Sequence, residues 1–523
     1  MQQQLRKAAI ISRSEFSEHL KTYLDKRVLT VFALGISSGF PWVIIGSSLT
    51  LWLKENDLSR TTIGYFGAVF AAYSLNWLWS PLVDRIHLRF LGQRRGWIFL
   101  GQMGIAACAY YISRQSPADS LEVIAWAAVA LAFFAATHDI AIDAFRIDSF
   151  ADHEKKALTA ASAMTTSGWW TGYAGLGFFP LWLSDNPNWT WPDIYVLMTV
   201  MVVAISLVTI LAKEPVTNRD AMQESAENNY LHKVASASKA QNMGIIFTLF
   251  GLVATVALLF ADLLGHSAFV LLGLLLVALA VQLVRVAQQE ASASQSLQVQ
   301  PIHKVTSWLI VTLVEPFLEF FRRNGVKLAA AILAFIFLFK IGEAFLGRMS
   351  VVFYAEIGFS NTDIATYSKL LSWWVTILFS VVGGIFNMHF GIVRGLMIGG
   401  IAMAASNLLF SAMSIIGPNI PFYAFTVIVD GFCQAWSTVA FVAFLSMLSN
   451  KAFTASQYAL MASLGTFSRT LLSSYSGALV DWLEGDWFIF FAITALMVIP
   501  SLILLWSIRK PLDRISETVQ VRP

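Results

Sequence analysis

The chain has 523 residues, 57% of them hydrophobic and only 13% charged, with a formal net charge of +3. A soluble globular chain carries about 25% charged residues, so this one cannot hide its apolar surface from water and takes lipid as its solvent. The near-neutral balance excludes a nucleic-acid partner, and successive runs of roughly twenty apolar residues fit spanning helices rather than barrel strands.

Residues 1–27 form a basic tail (Arg6, Lys7, Arg13, Lys21, Lys26 and Arg27) without an apolar stretch. No cleaved signal peptide is expected, and the first crossing itself directs insertion. That crossing falls at about 28–53 and holds Gly35, Gly39 and Pro41, which allow close packing and a bend. The second covers about 60–82, with Ser59 or Arg60-Thr61 near its start, and runs into Ser80-Pro81-Leu82-Val83-Asp84-Arg85. Past a loop ending in Gly92-Gln93-Arg94-Arg95-Gly96 come the third (97–113) and fourth (121–148) crossings. The fifth, 157–183, carries Thr165, Thr166, Ser167, Trp169 and Trp170, and the sixth takes 192–212. Residues 28–212 thus read as one six-helix bundle.

A polar linker, 213–242, precedes two apolar runs, 243–264 and 267–287, joined by Gly265-His266. So short a join makes 243–287 an antiparallel transmembrane hairpin. A second linker, 288–326, is rich in Gln, Ser and Ala near 288–300 and is expected to be poorly ordered there. Crossings at about 327–355, 361–388, 394–415, 421–448, 452–480 and 486–508 build a second six-helix bundle over 327–508, followed by a basic tail, 509–523. Two bundles and a hairpin make an all-α integral membrane protein of about fourteen spans. Lys and Arg gather in the tails, at Arg85 to Arg95, at Lys155-Lys156, in the central linkers and at Lys451, so both termini are expected in the cytoplasm.

The halves repeat weakly. Gly391-Ile392-Val393-Arg394-Gly395 echoes the first loop, and Ala452-Phe453-Thr454-Ala455-Ser456-Gln457-Tyr458-Ala459 echoes Ala157-Leu158-Thr159-Ala160-Ala161-Ser162-Ala163. Such duplication is the mark of a transporter whose site lies between the halves.

The fourth crossing stands out. Thr137-His138-Asp139-Ile140-Ala141-Ile142-Asp143-Ala144-Phe145-Arg146-Ile147-Asp148 places three carboxylates, an imidazole and a guanidinium in a membrane helix. A charge in hydrocarbon costs at least a few kcal/mol, so these groups face a cavity or a partner. Asp139 and Asp143 share a helix face, Asp143 and Arg146 can pair, and Asp148 is expected at the membrane surface. Two carboxylates this close compete for the charged form, so the pair can take a proton on one side and release it on the other. His138 either assists or simply makes a hydrogen bond. In the second half, Lys340 and Glu343 are spaced to pair, and Lys369, Asp430, Gln434 and Arg469 also fall in spans. These charges either tie helices together or line the path. Tryptophans furnish interfacial belts, and those within spans (Trp169, Trp170, Trp373, Trp374, Trp436) can also stack on sugar rings. Neither a phosphate-binding glycine loop nor a metal-ligand cluster is seen, so no cofactor and no metal are expected. An embedded enzyme would need a nucleophile–base set and a receptor a large soluble domain, and neither is evident. A scaffold using the hairpin to recruit a partner is the remaining alternative.

Asp84-Arg85 followed by Gly92-Gln93-Arg94-Arg95-Gly96 resembles, in stretched form, the cytoplasmic loop motif of the major facilitator superfamily. Gly35-Ile36-Ser37-Ser38-Gly39-Phe40-Pro41, Leu78-Trp79-Ser80-Pro81, His138-Asp139-Ile140-Ala141-Ile142-Asp143-Ala144, Lys340-Ile341-Gly342-Glu343-Ala344-Phe345 and the stretch Asn450 to Leu460 are similar to the AmpG family of muropeptide permeases. His138 stands where that pattern has glutamine, and Glu343 where it has aspartate. The resemblance implies the major facilitator fold and an importer of anhydro-muropeptides in the bacterial inner membrane. It would be a monomer driven by the proton gradient, serving peptidoglycan recycling and so the signal that induces β-lactamase. Asp139 and Asp143 would couple protons. Arg146, Lys340, Glu343, Asp430, Gln434, Arg469, Trp169 and Trp170 would contact substrate, and Asp84, Arg85, Arg94 and Arg95 would form a cytoplasmic gate. A transporter of another bulky solute, such as acetyl-CoA or another acyl-CoA, is the alternative.

Overall fold

The computed structural model describes residues 13–58, 62, 66–88, 90–260, 267–287, 299–360 and 363–518, and every regular element among them is helical. The chain divides into two compact units. One comprises the residues up to Val216, Asn324–Asn450 and those from Thr454 onward, and the other is Thr217–Arg323 with Lys451–Phe453.

In the larger unit the first crossing is α1 (Lys26–Gly39). Asp25 caps it by accepting the Arg27 backbone N–H at 2.8 Å. Pro41 has no N–H to give to the ladder, and a wide-turn segment, Val43–Ser48, leads on to Leu49–Glu55. The second crossing is a series of short pieces ending in α2 (Ser80–Arg85). The start considered at Ser59, Arg60 or Thr61 lies outside the described residues. Then come α3 (Gln93–Ser113), α4 (Leu121–Asp148), α5 (Lys155–Trp170) with a wide-turn continuation to Phe178–Ser184, and α6 (Trp191–Leu211).

Small residues set the contact between α1 and the fifth crossing. A Cβ on Gly39 would lie 2.0 Å from the Trp169 carbonyl oxygen, and one on Gly172 would lie 2.1 Å from that of Ile36. Two glycines four apart on each helix (Gly35 and Gly39, Gly168 and Gly172) therefore let the backbones touch, the usual device for packing helices in lipid.

The smaller unit contains α7 (Arg219–Ala235), α8 (Lys239–Phe260), α9 (Ser267–Ala287), α10 (Pro301–Leu313) and α11 (Glu315–Asn324). α8 and α9 run antiparallel, Gly244 lying beside Gln282 and Gly251 beside Leu275. Val234, Ile245, Leu249, Leu279 and Ile310 form its core. Glu315 accepts from Tyr230 Oη at 2.6 Å and from Arg322 Nη1 at 2.9 Å. The stretches read as linkers thus hold three helices, α7, α10 and α11. α7 and α11 are mostly polar, with a narrow apolar face that composition does not reveal. The Gly265-His266 join and residues 288–298, expected to be poorly ordered, lie outside the described residues.

The second half of the larger unit opens with α12 (Val326–Phe339) and α13 (Ile341–Glu356). The crossing expected as continuous over 327–355 breaks at Lys340, which ends one helix and begins the next. After a wide-turn segment come α14 (Ser372–Phe390), α15 (Ile392–Ile416), α16 (Ile420–Leu448), α17 (Thr454–Ser473), α18 (Trp487–Leu496) and α19 (Ile499–Thr518). Among the described residues, eight helices are long and apolar enough to cross a membrane. The second, third and fifth crossings, the two hairpin helices and the crossing that holds Thr454–Ser473 are not among these eight. α5 packs along α14, and α17 along α2 and the pieces before it, so the two halves meet along two seams.

Candidate functional site

The seams are tied by side-chain bonds at the end where the N-terminal segment lies. Asp84, at the foot of α2, is 2% exposed. Its Oδ1 accepts from Arg94 Nη2 at 2.8 Å and from the Ala455 N–H at 3.1 Å. Its Oδ2 accepts from the Ser456 N–H at 2.8 Å and the Ser456 hydroxyl at 2.6 Å. A carboxylate of one half therefore sits on the N-terminus of α17 in the other, where free N–H groups and the helix dipole favour negative charge. Arg94, fully buried, spends its Nε on Asp148 at 2.8 Å, and Asp148 accepts from the Thr454 hydroxyl at 2.9 Å.

Asp148 is thus a buried member of the latch rather than a surface residue. Arg95 turns away from the seam. It lies 3.4 Å from Glu214 and donates to the carbonyls of Ile210 and Ala212, closing the end of α6 within its own half. Arg85 ends α2 and is half-buried. Sequence reasoning passed over Thr454 and Ser456 as latch residues, although the repeat at 452–459 pointed to their segment.

Higher on α4, Asp139 and Asp143 have side chains 18% and 25% exposed, whereas His138 and Arg146 are fully enclosed. Arg146 Nη2 donates to Asp143 at 2.8 Å, and Nη1 donates to Ser162 at 3.0 Å and across the seam to Ser446 at 2.7 Å. Its guanidinium also stands 5.2 Å from the Tyr458 ring of the second half. The Asp143–Arg146 pair therefore joins a partly open carboxylate to the contact between halves. Toward Asp139 stands an aromatic wall. Trp169 stacks on Tyr173 (5.1 Å) and meets Trp42 edge-on (5.9 Å), while Trp42 stacks on Phe70 (4.4 Å). Trp170 meets Trp169 and Tyr173 edge-on. Tyr73, beside Trp42, is close enough to interact electrostatically with Asp139.

The second half supplies a separate polar cluster. Lys340 Nζ, at the helix break, bonds Glu343 closely and donates to Ser437 at 2.8 Å and Thr438 at 3.0 Å. Arg469, with its side chain 53% exposed, reaches Glu343 at 3.8 Å. Asp430 is buried and accepts from Ser406 at 2.8 Å and Gln434 at 2.6 Å. Lys340 tolerates burial because its three ammonium hydrogens meet three oxygen partners. A cavity of about 400 Å³ between α5, α14, α15 and α19 is lined by Lys155, Lys156, Asn387, His389, Arg394 and Asp513 among others, and by none of the residues of these clusters.

The architecture finds clear counterparts. The proton:xylose symporter XylE superposes with a TM-score of 0.58 over 93% of this chain and 96% of its own at 12% identity. The human organic anion transporter MFSD10 superposes with a TM-score of 0.52 over 92% and 99% at 15% identity. By sequence, the transporter named AmpG 4 of Rickettsia conorii is 28% identical over 490 residues, covering 93% of this chain and 97% of its own. The chain has the major facilitator fold and is similar along nearly its whole length to the AmpG permeases. The anhydromuropeptide permease of Escherichia coli K12 is likewise 26% identical over 499 residues, 95% of this chain and 82% of that one. A family model described as acetyl-coenzyme A transporter 1 matches residues 28–188. These relatives carry the names of transporters and a permease rather than of enzymes, and the chain shares the multi-span fold of membrane transporters.

Proposed function

We propose that this transporter is a proton-coupled importer of anhydro-muropeptides, N-acetylglucosaminyl-anhydro-N-acetylmuramyl peptides, serving peptidoglycan recycling. The observation that carries the reading is the relation to the anhydromuropeptide permease along 95% of the chain. It works as a monomer in the bacterial inner membrane. Both termini are cytoplasmic, because Lys and Arg concentrate in the tails and in the loops on their side, and Lys155, Lys156 and Arg394 line one cavity with Asp513 of α19.

Asp139 and Asp143 take protons from the outer side. A proton on Asp143 cancels the charge that Arg146 pairs with, and Arg146 bonds Ser446 across the seam. Proton loading thereby reaches the contact between halves, as alternating access requires. The rings of Trp169 and Trp170 stack on the sugars. Lys340, Glu343, Asp430, Gln434 and Arg469 receive hydroxyls and peptide carboxylates, and Asp84, Arg85, Arg94 and Asp148 act at the cytoplasmic gate, whereas Arg95 braces the end of α6.

The match of residues 28–188 to the acetyl-coenzyme A transporter model favours an acyl-CoA as the second reading. Uptake into proteoliposomes separates the two. Labelled anhydro-disaccharide peptide should accumulate only with an inward proton gradient and be indifferent to excess acetyl-CoA. Accumulation of acetyl-CoA instead would overturn the first reading.

A further inference from the structure

A buried hydrogen-bond chain crosses the first half and ends on His138. Thr209 Oγ1 of α6 donates to Gln102 Oε1 of α3 at 2.9 Å, and Gln102 Nε2 donates to Ser37 Oγ of α1 at 2.8 Å. Ser37 Oγ lies 3.0 Å from His138 Nε2 of α4. Gln102, Thr209 and His138 are fully enclosed and Ser37 nearly so. One order of donors gives every hydrogen in this chain an acceptor. With its oxygen occupied by the Gln102 amide hydrogen, Ser37 has its own hydrogen free for Nε2. An imidazole that accepts at Nε2 carries its ring hydrogen on Nδ1. Nδ1 stands 3.5 Å from Asp139 Oδ1, and neither atom has a hydrogen-bond partner although both are buried. Close packing leaves the ring little room, since a Cβ on Gly101 of α3 would lie 2.6 Å from His138 Cβ.

We infer that His138 is a positioning residue for Asp139, held by the Thr209–Gln102–Ser37 chain so that its Nδ1–H faces the carboxyl and bonds it in the charged form. The inference rests on the reading of Asp139 as a proton site. When Asp139 gives up its proton, the gap contracts to an N–H···O⁻ bond. When the proton returns to Oδ1, two hydrogens face each other and the gap reopens. Among groups that titrate, Asp143 and Arg146 share α4 with the pair, Tyr73 interacts with Asp139, and Tyr458 of the second half faces Asp143. The groups named from α1, α3 and α6 (Ser37, Gln102 and Thr209) are neutral.

The test is an infrared titration of the full-length protein in liposomes, following the protonated-carboxyl band that Asp139→Asn removes. A donor bond to the charged form is worth about one pH unit. In His138→Ala the band should therefore persist to a pH about one unit higher. His138→Gln restores an N–H donor and should titrate like the wild type. An unmoved band in His138→Ala, or a Gln variant that behaves like Ala, overturns the positioning role. Should Asp139→Asn remove no titrating band, the proton-site reading fails instead. Ser37→Ala, which frees the ring hydrogen to move to Nε2, should shift the band in the same direction as His138→Ala and so covers the case in which the alanine variant does not fold. An unmoved band in Ser37→Ala counts against the role.

Discussion

Ser456 gives both its backbone N–H and its hydroxyl to a single oxygen of Asp84, at 2.8 and 2.6 Å, from the opposite half of the transporter. The same carboxylate holds Arg94, so one buried charge ties together a loop arginine and the first turn of α17. Opening this end must break all of these bonds at once, which makes the contact a two-state element rather than a soft one.

Asp84→Asn keeps the shape but removes the charge and places an amide against two backbone donors. Breaking one partner of a buried ion pair costs about 3–5 kcal/mol, here charged to the latched state. The variant should populate the opened state, so a cysteine at Ser463, now buried and bonded to Asn76 across the seam, becomes reactive to an impermeant maleimide applied at the latched end. Unchanged labelling would show that Asp84 does not hold this end closed.

Asp139→Asn should abolish accumulation against a gradient while leaving counterflow exchange of substrate intact, because exchange needs no net proton movement. Asp143→Asn should lose accumulation too, and should also raise maleimide labelling at position 463, since Arg146 loses its partner beside Ser446. Uptake and counterflow measured on the same vesicles decide both.

Lys340→Met strands Glu343 in a buried site, with Arg469 at 3.8 Å as its remaining cation. The expected cost is about 3–5 kcal/mol, read as a lower melting temperature by tryptophan fluorescence. Adding Glu343→Gln removes the stranded charge and should recover most of that loss, while transport stays impaired. A double variant as unstable as the single one would mean that the pair is not what holds the helix break.

Outside the membrane, Arg27 grips Glu154 with two bonds, 2.8 and 3.0 Å, and Asp25 with another at 2.8 Å. These bonds hold both carboxyls below their ordinary values, and partial burial opposes them only in part. A depressed carboxyl adds stability above its unfolded value, about 4 for these groups, and loses it as pH falls through the folded value. Melting temperature should therefore drop as pH is lowered from about 6 toward 3, and Arg27→Gln should flatten that slope. The effect is small and salt-sensitive, since the partners are partly exposed.

The sequence by itself determined the class of molecule. Low charge and long apolar runs leave no solvent but lipid, and the span of α4, Leu121–Asp148, was readable residue for residue because a helix in hydrocarbon must satisfy its own backbone. The acids on its face were legible for the same reason, since uncompensated charge is too costly to be incidental there. Pairs three or four apart, Asp143–Arg146 and Lys340–Glu343, were legible because helical geometry alone brings them together.

Tertiary structure alone decided the partners distant in sequence. Asp84 reaches Ser456, Asp148 reaches Thr454, and Arg146 reaches Ser446 across about 300 residues or more. No periodicity encodes such contacts, because they depend on how two bundles lean together. It also decided that Arg94 faces the seam while its neighbour Arg95 turns to Glu214. Adjacent residues on a helix point about 100° apart, and only the packed neighbours choose which of them meets the other half.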